Sequence, residues 1–217
     1  MNVEQARFNM IEQQIRPWEV LDSSVLSLLS VVRREDFVPA AHRSLAFMDL
    51  EVPLLGGKSM LAPKLEARLV QDLDLSKRDT VLHIGAGTGY VTALLAHKAQ
   101  RVIGLEAQPE LLQMARTNLR NAGISNAEMV SANGAQGFPG QAPYDAILLT
   151  GSVASVPQVL LDQLKDGGRL LAIVGEEPIM RATLITRVGA GTFTTQVLFD
   201  TIAPRLEGFA ASSRFTF

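Results

Sequence analysis

The segment Val81-Leu82-His83-Ile84-Gly85-Ala86-Gly87-Thr88-Gly89-Tyr90 constrains the fold more than any other part of this chain. A short apolar run, Thr80–Ile84, ends in three glycines, and a helical pattern over 88–99 begins across them. Glycine permits the tight turn and lets a ligand approach the backbone closely. The same rhythm then continues. Residues 101–105 read as a second strand, and 109–122 as a helix with Leu111, Leu112, Ala115 and Leu119 as its buried stripe. Residues 127–131 form a weaker strand, 145–150 a strongly apolar one, 156–164 a helix and 169–174 another buried strand. Strands alternating with helices predict a parallel sheet covered on both faces. The tail differs: 182–188 and 192–202 are rich in Thr, Val and Ile and flank Gly189-Ala190-Gly191. They predict a closing hairpin, with one antiparallel strand at or near the end of a seven-stranded, Rossmann-like α/β sheet, but the pattern does not set their order.

Before Ser76 the chain reads as helices. Val3, Ala6, Met10 and Ile15 suggest one amphipathic helix ended by Arg16-Pro17. Asp22-Ser23-Ser24 can cap a second, with Val25, Leu28, Leu29 and Val32 on one face. Pro39 and Pro53 interrupt the next stretch, Gly56-Gly57 makes a turn, and Pro63 suits the first turn of a helix through Leu73. The expected organisation is a helical extension with a loop, residues 1–75, and a ligand-binding core, 76–217, forming one continuous domain.

Composition narrows the function classes. There are no cysteines among 217 residues, so thiolate nucleophiles, disulfides and cysteine-based metal centres are excluded. Three scattered histidines make no metal set. Twenty Lys+Arg against 22 Asp+Glu argues against a general nucleic-acid or membrane-surface binder. No basic start leading into an apolar run is visible, and the uncharged stretch 25–32 is far short of the ~20 residues of a membrane helix. A cytoplasmic protein is the expectation.

The glycine loop reads G-x-G-x-G, with Tyr90 where the dinucleotide fingerprint G-x-G-x-x-G has its last glycine. Glu106 follows at the end of the second strand, where a carboxylate can accept both ribose hydroxyls of a nucleoside. Together they favour an adenosine ligand without a pyrophosphate, namely S-adenosylmethionine, over NAD(P). The plainer reading is a turn that only allows close packing, with Glu106 a solvated strand-end charge.

Further segments carry a resemblance. Residues 10–15 (MIEQQI), 20–22 (VLD) and 32–39 (VRREDFVP) resemble the amino-terminal helices of the protein-L-isoaspartate O-methyltransferase family. Residues 143–150 (PYDAILLT) are similar to its fourth-strand motif, and 164–170 (LKDGGRL) to its turn into the fifth strand. The resemblance implies a methyltransferase sheet and S-adenosylmethionine as donor, with S-adenosylhomocysteine as product. It implies a donor site at His83, Gly85, Ala86, Gly87, Gly89, Tyr90, Glu106, Ala107, Asn133, Gly134 and Thr150. The implied acceptor is the side-chain carboxylate of an isoaspartyl residue in damaged protein, making the activity one of protein repair.

Three departures stand out. The family's Q-T-I-S-Q-P, aligned on Pro63, reads Lys58-Ser59-Met60-Leu61-Ala62-Pro63 here, so Leu61 holds the place of the family's active-site serine. Ser59 is a substitute hydroxyl or an ordinary loop serine, and Lys58 is an attraction for an acidic substrate or a solvated lysine. Ala132-Asn133-Gly134 replaces G-D-G, leaving a carbonyl acceptor for adenine. His83 stands where an acid is usual, or is simply a hydrogen-bonded core histidine. Trp18 reads as packing or as a stacking platform. Two other functions remain open on the sequence: transfer to a small-molecule acceptor, and a relative that binds cofactor or partner without turnover.

Overall fold

The computed structural model describes residues 2–211. Helix α1 (Val3–Met10) starts at Asn2, whose side chain accepts the Gln5 N–H. It widens into a π turn, Ile11–Ile15, and tightens into a 3₁₀ turn, Arg16–Trp18. The expected single amphipathic helix is therefore one continuous but irregular segment. Helix α2 (Ser23–Val31) is capped as expected: the Asp22 carboxylate accepts the Ser24 N–H at 2.7 Å. Two 3₁₀ turns, Arg34–Asp36 and Ala40–Leu45, lead to a short antiparallel ribbon, β1 (Val52–Pro53) with β2 (Ser59–Met60). Helix α3 (Pro63–Asp72) has its proline in the first turn.

The core then runs β3 (Thr80–Ile84), α4 (Tyr90–Lys98), β4 (Arg101–Leu105), α5 (Pro109–Asn121), β5 (Ala127–Val130), β6 (Tyr144–Val153), α6 (Gln158–Leu161), β7 (Leu164–Glu176), β8 (Ile179–Gly189) and β9 (Thr192–Asp200). The seven-stranded sheet has the order β5-β4-β3-β6-β7-β8-β9. Strands β3 to β7 are parallel, and β8 is antiparallel to both neighbours. The closing hairpin is present, and β8, second from the edge, is the antiparallel strand. Several boundaries differ from the sequence pattern: β7 and β8 start earlier and β6 ends later than expected. Helix α4 begins at Tyr90 because Gly89 is its N-cap in the left-handed region, φ 88°. The helix expected over 156–164 shrinks to α6, because Leu164 already pairs with Tyr144 and opens β7.

The two-residue period of the strands sorts the core. Val81, Val102, Ala146 and Leu148 face a cluster shared with α1 to α5, while Leu82, Ile84, Ile103, Ile147 and Leu149 face a second one with Leu160 and Leu161. Each such leucine or isoleucine contributes about 1.5–3 kcal/mol on burial. The amino-terminal helices thus cover the same sheet face as α4 and α5. From β3 the chain steps outward to β4 and β5, then returns to the other side of β3 as β6. That reversal opens a crevice at the carboxyl ends of β3, β4 and β6, the place where open α/β sheets take ligands.

Candidate active site

The glycine loop lies at this crevice. The N–H groups of Gly85 and Ala86 both donate to the Leu105 carbonyl, tying the loop to β4. A Cβ on Gly89 would meet the Ala115 backbone and side chain at about 3.2 Å, so the glycine lets α4 and α5 close on each other. A Cβ on Gly85 would lie 2.7 Å from the Leu206 side chain.

Glu106, 3% exposed, sits at the end of β4. Its Oε2 accepts the Gly87 N–H at 2.9 Å, and its Oε1 accepts the Gln108 N–H at 2.9 Å. Lys58 donates to the same Oε1 at 3.0 Å and lies 3.5 Å from Glu207. The carboxylate is therefore fixed by backbone on both oxygens, with its remaining capacity toward the cleft.

His83 lies beneath the loop, fully buried. Thr150 donates to the Gly85 carbonyl at 2.7 Å, so its oxygen accepts from His83 Nε2 at 2.9 Å. His83 Nδ1 then accepts from the Thr92 hydroxyl at 2.8 Å. The relay Thr92–His83–Thr150–Gly85 runs through a neutral imidazole. Burial holds its pKa down at about 3. The unfolded ring titrates near 6.5, so the unfolded chain binds more protons between these values. The stability contribution is complete above about pH 6.5 and is lost toward pH 3, by about 1.4 kcal/mol per pH unit. Urea unfolding between about pH 6 and pH 4 should show this slope, and His83→Gln should flatten it. Parallel profiles for the two proteins would contradict the assignment.

The cleft, about 120 Å³, brings together Ser59, Leu61, Gly85, Gly87, Glu106, Ala107, Gly134 and Thr150. A smaller cavity beneath, also lined by Ser59 and Leu61, adds His83, Ala86 and Tyr90. Gly89 and Asn133 line neither. Asn133 turns its side-chain carbonyl to the Ala135 N–H at 3.0 Å and packs under Gly208. Leu61 is 3% exposed, and its carbonyl accepts from the Arg34 guanidinium at 2.8 Å. The Ser59 hydroxyl donates to Glu51 at 2.9 Å. The Thr88 and Tyr90 hydroxyls are buried without a hydrogen bond. Trp18 packs edge-on against Phe199, with Lys64 over its ring, so it serves packing.

Sequence reasoning missed the far wall. After β9 the chain returns across the crevice: Ser152 donates its N–H to Pro204 and its hydroxyl to Ala203, and accepts the Leu206 N–H. Leu206 and Phe209 thereby line the cleft. No local signal marks these residues. Thr92 was findable, as a polar residue within the apolar run 90–96. Among the described residues no group of three acidic or histidine side chains could hold a metal, and no helix is long and apolar enough to cross a membrane.

Comparison with known proteins agrees with this architecture. Residues 5–202 match the family model described as protein-L-isoaspartate(D-aspartate) O-methyltransferase. A protein-L-isoaspartate O-methyltransferase of Methanoculleus marisnigri is 40% identical over 78% of this chain and 77% of its own length. One from Parvibaculum lavamentivorans is 35% identical over 97% and 96%. A solved protein-L-isoaspartate O-methyltransferase superposes with a TM-score of 0.80 at 25% identity, over 93% of this chain and 66% of that one. A Plasmodium falciparum structure in complex with S-adenosyl-L-homocysteine shares the fold, with a TM-score of 0.79 at 22% identity, over 95% and 99% of the two chains. On the length and agreement of these matches, the chain belongs to the protein-L-isoaspartate(D-aspartate) O-methyltransferase family, enzymes whose methyl donor is S-adenosylmethionine.

Proposed function

We propose that this chain methylates a carboxylate oxygen of protein, with isoaspartyl side chains as the acceptor class. The observation that carries the reading is Glu106, a buried carboxylate fixed by two backbone N–H groups at the mouth of the glycine loop. With Lys58 moved aside, one acceptor site on each oxygen suits the paired hydroxyls of a ribose. Gly85 and Gly87 leave the loop open beside it, and the His83–Thr150 relay keeps the Gly85 carbonyl in place. In this reading Ala107 and Gly134 flank the nucleoside, Asn133 shapes the turn carrying Gly134, and Ala86, Gly89 and Tyr90 pack the loop.

When bound, S-adenosylmethionine supplies an electrophilic methyl carbon on a sulfonium leaving group. The acceptor is already ionised at neutral pH, because a free carboxyl titrates near ~4, so the chain needs no general base. Its task is alignment and removal of water, which together can supply roughly 7–11 kcal/mol. The relatives' names support the isoaspartyl acceptor. The apolar wall of Leu54, Leu61 and Leu206 supports a second reading, a less polar small-molecule acceptor at the same site.

Two measurements test the proposal. Calorimetry should show saturable binding of S-adenosylhomocysteine and none comparable for NAD. Glu106→Ala should weaken that binding tenfold or more, since charge-assisted hydrogen bonds are worth about 1.5–3 kcal/mol. Unchanged affinity in the folded variant would move the ribose elsewhere. Methyl transfer to an isoaspartyl peptide should be detectable; transfer only to small molecules of a cell extract would favour the second reading.

A further inference from the structure

The hydrogen-bonding capacity of Glu106 is nearly used up. A carboxylate offers about four lone-pair sites. The Gly87 and Gln108 N–H groups take one on each oxygen, and Lys58 takes the second site on Oε1. Only one site on Oε2 remains, whereas two ribose hydroxyls need two. As long as Lys58 stays on Oε1, the nucleoside cannot be held by both hydroxyls.

Lys58 has a second carboxylate within reach. It follows Gly56 and Gly57, both in the left-handed region, and a side chain on Gly57 would meet nothing within 4 Å. Its ammonium is already 3.5 Å from a second carboxylate, that of Glu207, which is 67% exposed and so holds it weakly. The cleft's other cation, Arg205, is engaged by Glu176 and the Ala210 carbonyl. Beyond Lys58, the loop has nothing for an incoming carboxylate: Ser59 gives its proton to Glu51, and Met60 and Leu61 are apolar.

We propose that Lys58 is a displaceable counter-ion of Glu106. The ribose of the methyl donor evicts it, and the freed ammonium then binds the carboxylate of the acceptor. The proposal rests on the reading of Glu106 as the ribose residue. It makes binding ordered: the donor enters first and creates the cation that the acceptor needs. By linkage, acceptor binding must tighten donor binding by the same factor.

Calorimetry on the full chain tests this, with S-adenosylhomocysteine and an isoaspartyl peptide as probes. Lys58→Met removes the competitor, so it should bind S-adenosylhomocysteine roughly two- to fivefold more tightly than the parent. In the parent, saturating S-adenosylhomocysteine should tighten the peptide. In Lys58→Met that dependence should vanish and the peptide should bind weakly throughout, whereas Lys58→Arg should retain the dependence. Unchanged or weaker S-adenosylhomocysteine binding by Lys58→Met, or peptide binding indifferent to it in the parent, would overturn the proposal. A Glu106→Gln variant separates the failures. It should bind S-adenosylhomocysteine about tenfold or more weakly, and unchanged binding would overturn the ribose assignment and this proposal with it.

Discussion

Leu61→Ser should raise turnover of an isoaspartyl peptide, on the order of 10–1,000-fold, the range for one hydrogen bond made in the transition state. Leu61 lines both the cleft and the cavity beneath it, and an apolar side chain there cannot orient a carboxylate. Its neighbour gives no substitute, because the Ser59 proton is committed to Glu51; Ser59→Ala should leave the rate unaltered. The new hydroxyl costs stability, since removing a buried leucine side chain typically loses about 2–5 kcal/mol. The control is Leu61→Ala, which opens the same space without a donor and should show no gain. Equal rates in parent, Leu61→Ser and Leu61→Ala would show that this position does not touch the acceptor.

The largest loss of stability should follow from Arg34→Met. Arg34 is fully buried and spends all three guanidinium nitrogens: on Glu66 at 2.9 Å, and on the Ala46 and Leu61 carbonyls at 2.8 Å each. Its guanidinium also lies 5.7 Å from the centroid of the Tyr90 ring. Burial raises the pKa of Glu66, and Arg34 is the charge opposing that shift. Removing Arg34 leaves a buried acid without its partner and two carbonyls without a donor, at a cost of about 3–5 kcal/mol. For a chain of this size that lowers Tm by about 6–20 °C. Arg34→Met with Glu66→Leu should recover much of the loss, because a packed apolar pair can replace a buried ion pair. A thermal melt of the single variant within a degree or two of the parent would refute this account.

The parallel strands were legible because burial on both faces leaves continuous apolar runs, such as Ala146–Leu149 and Leu170–Val174, closed off by glycines or polar residues. The cap at Asp22 and the turn at Pro63 were legible because each depends on one residue acting within its own helix turn. The start of β7 was not. Residues 156–164 suit a helix, and only the cross-strand pairing of Leu164 with Tyr144 ends it early. The site divided in the same way. Gly85, Gly87 and Glu106 follow from one strand–turn–helix and the strand after it. The meeting of Lys58 with Glu106, and of both with the segment around Leu206, joins residues far apart in the chain, and no local period encodes it.

The β8–β9 ladder carries two breaks of register: one leaves Val188 unmatched, the other Leu198. β9 is the sheet edge, and a straight, flat edge of unpaired N–H and C=O groups is a template on which another chain can add and aggregation can begin. Bulges sharpen the local twist and bend the strand, so a second molecule finds no even row to extend. The Leu198 bulge sits just before the chain leaves the sheet and turns back to dock on Ser152. The irregularity that makes this edge a poor template thus stands where the chain departs for the crevice, and a substitution that straightened β9 would alter both the edge and the wall of the cleft.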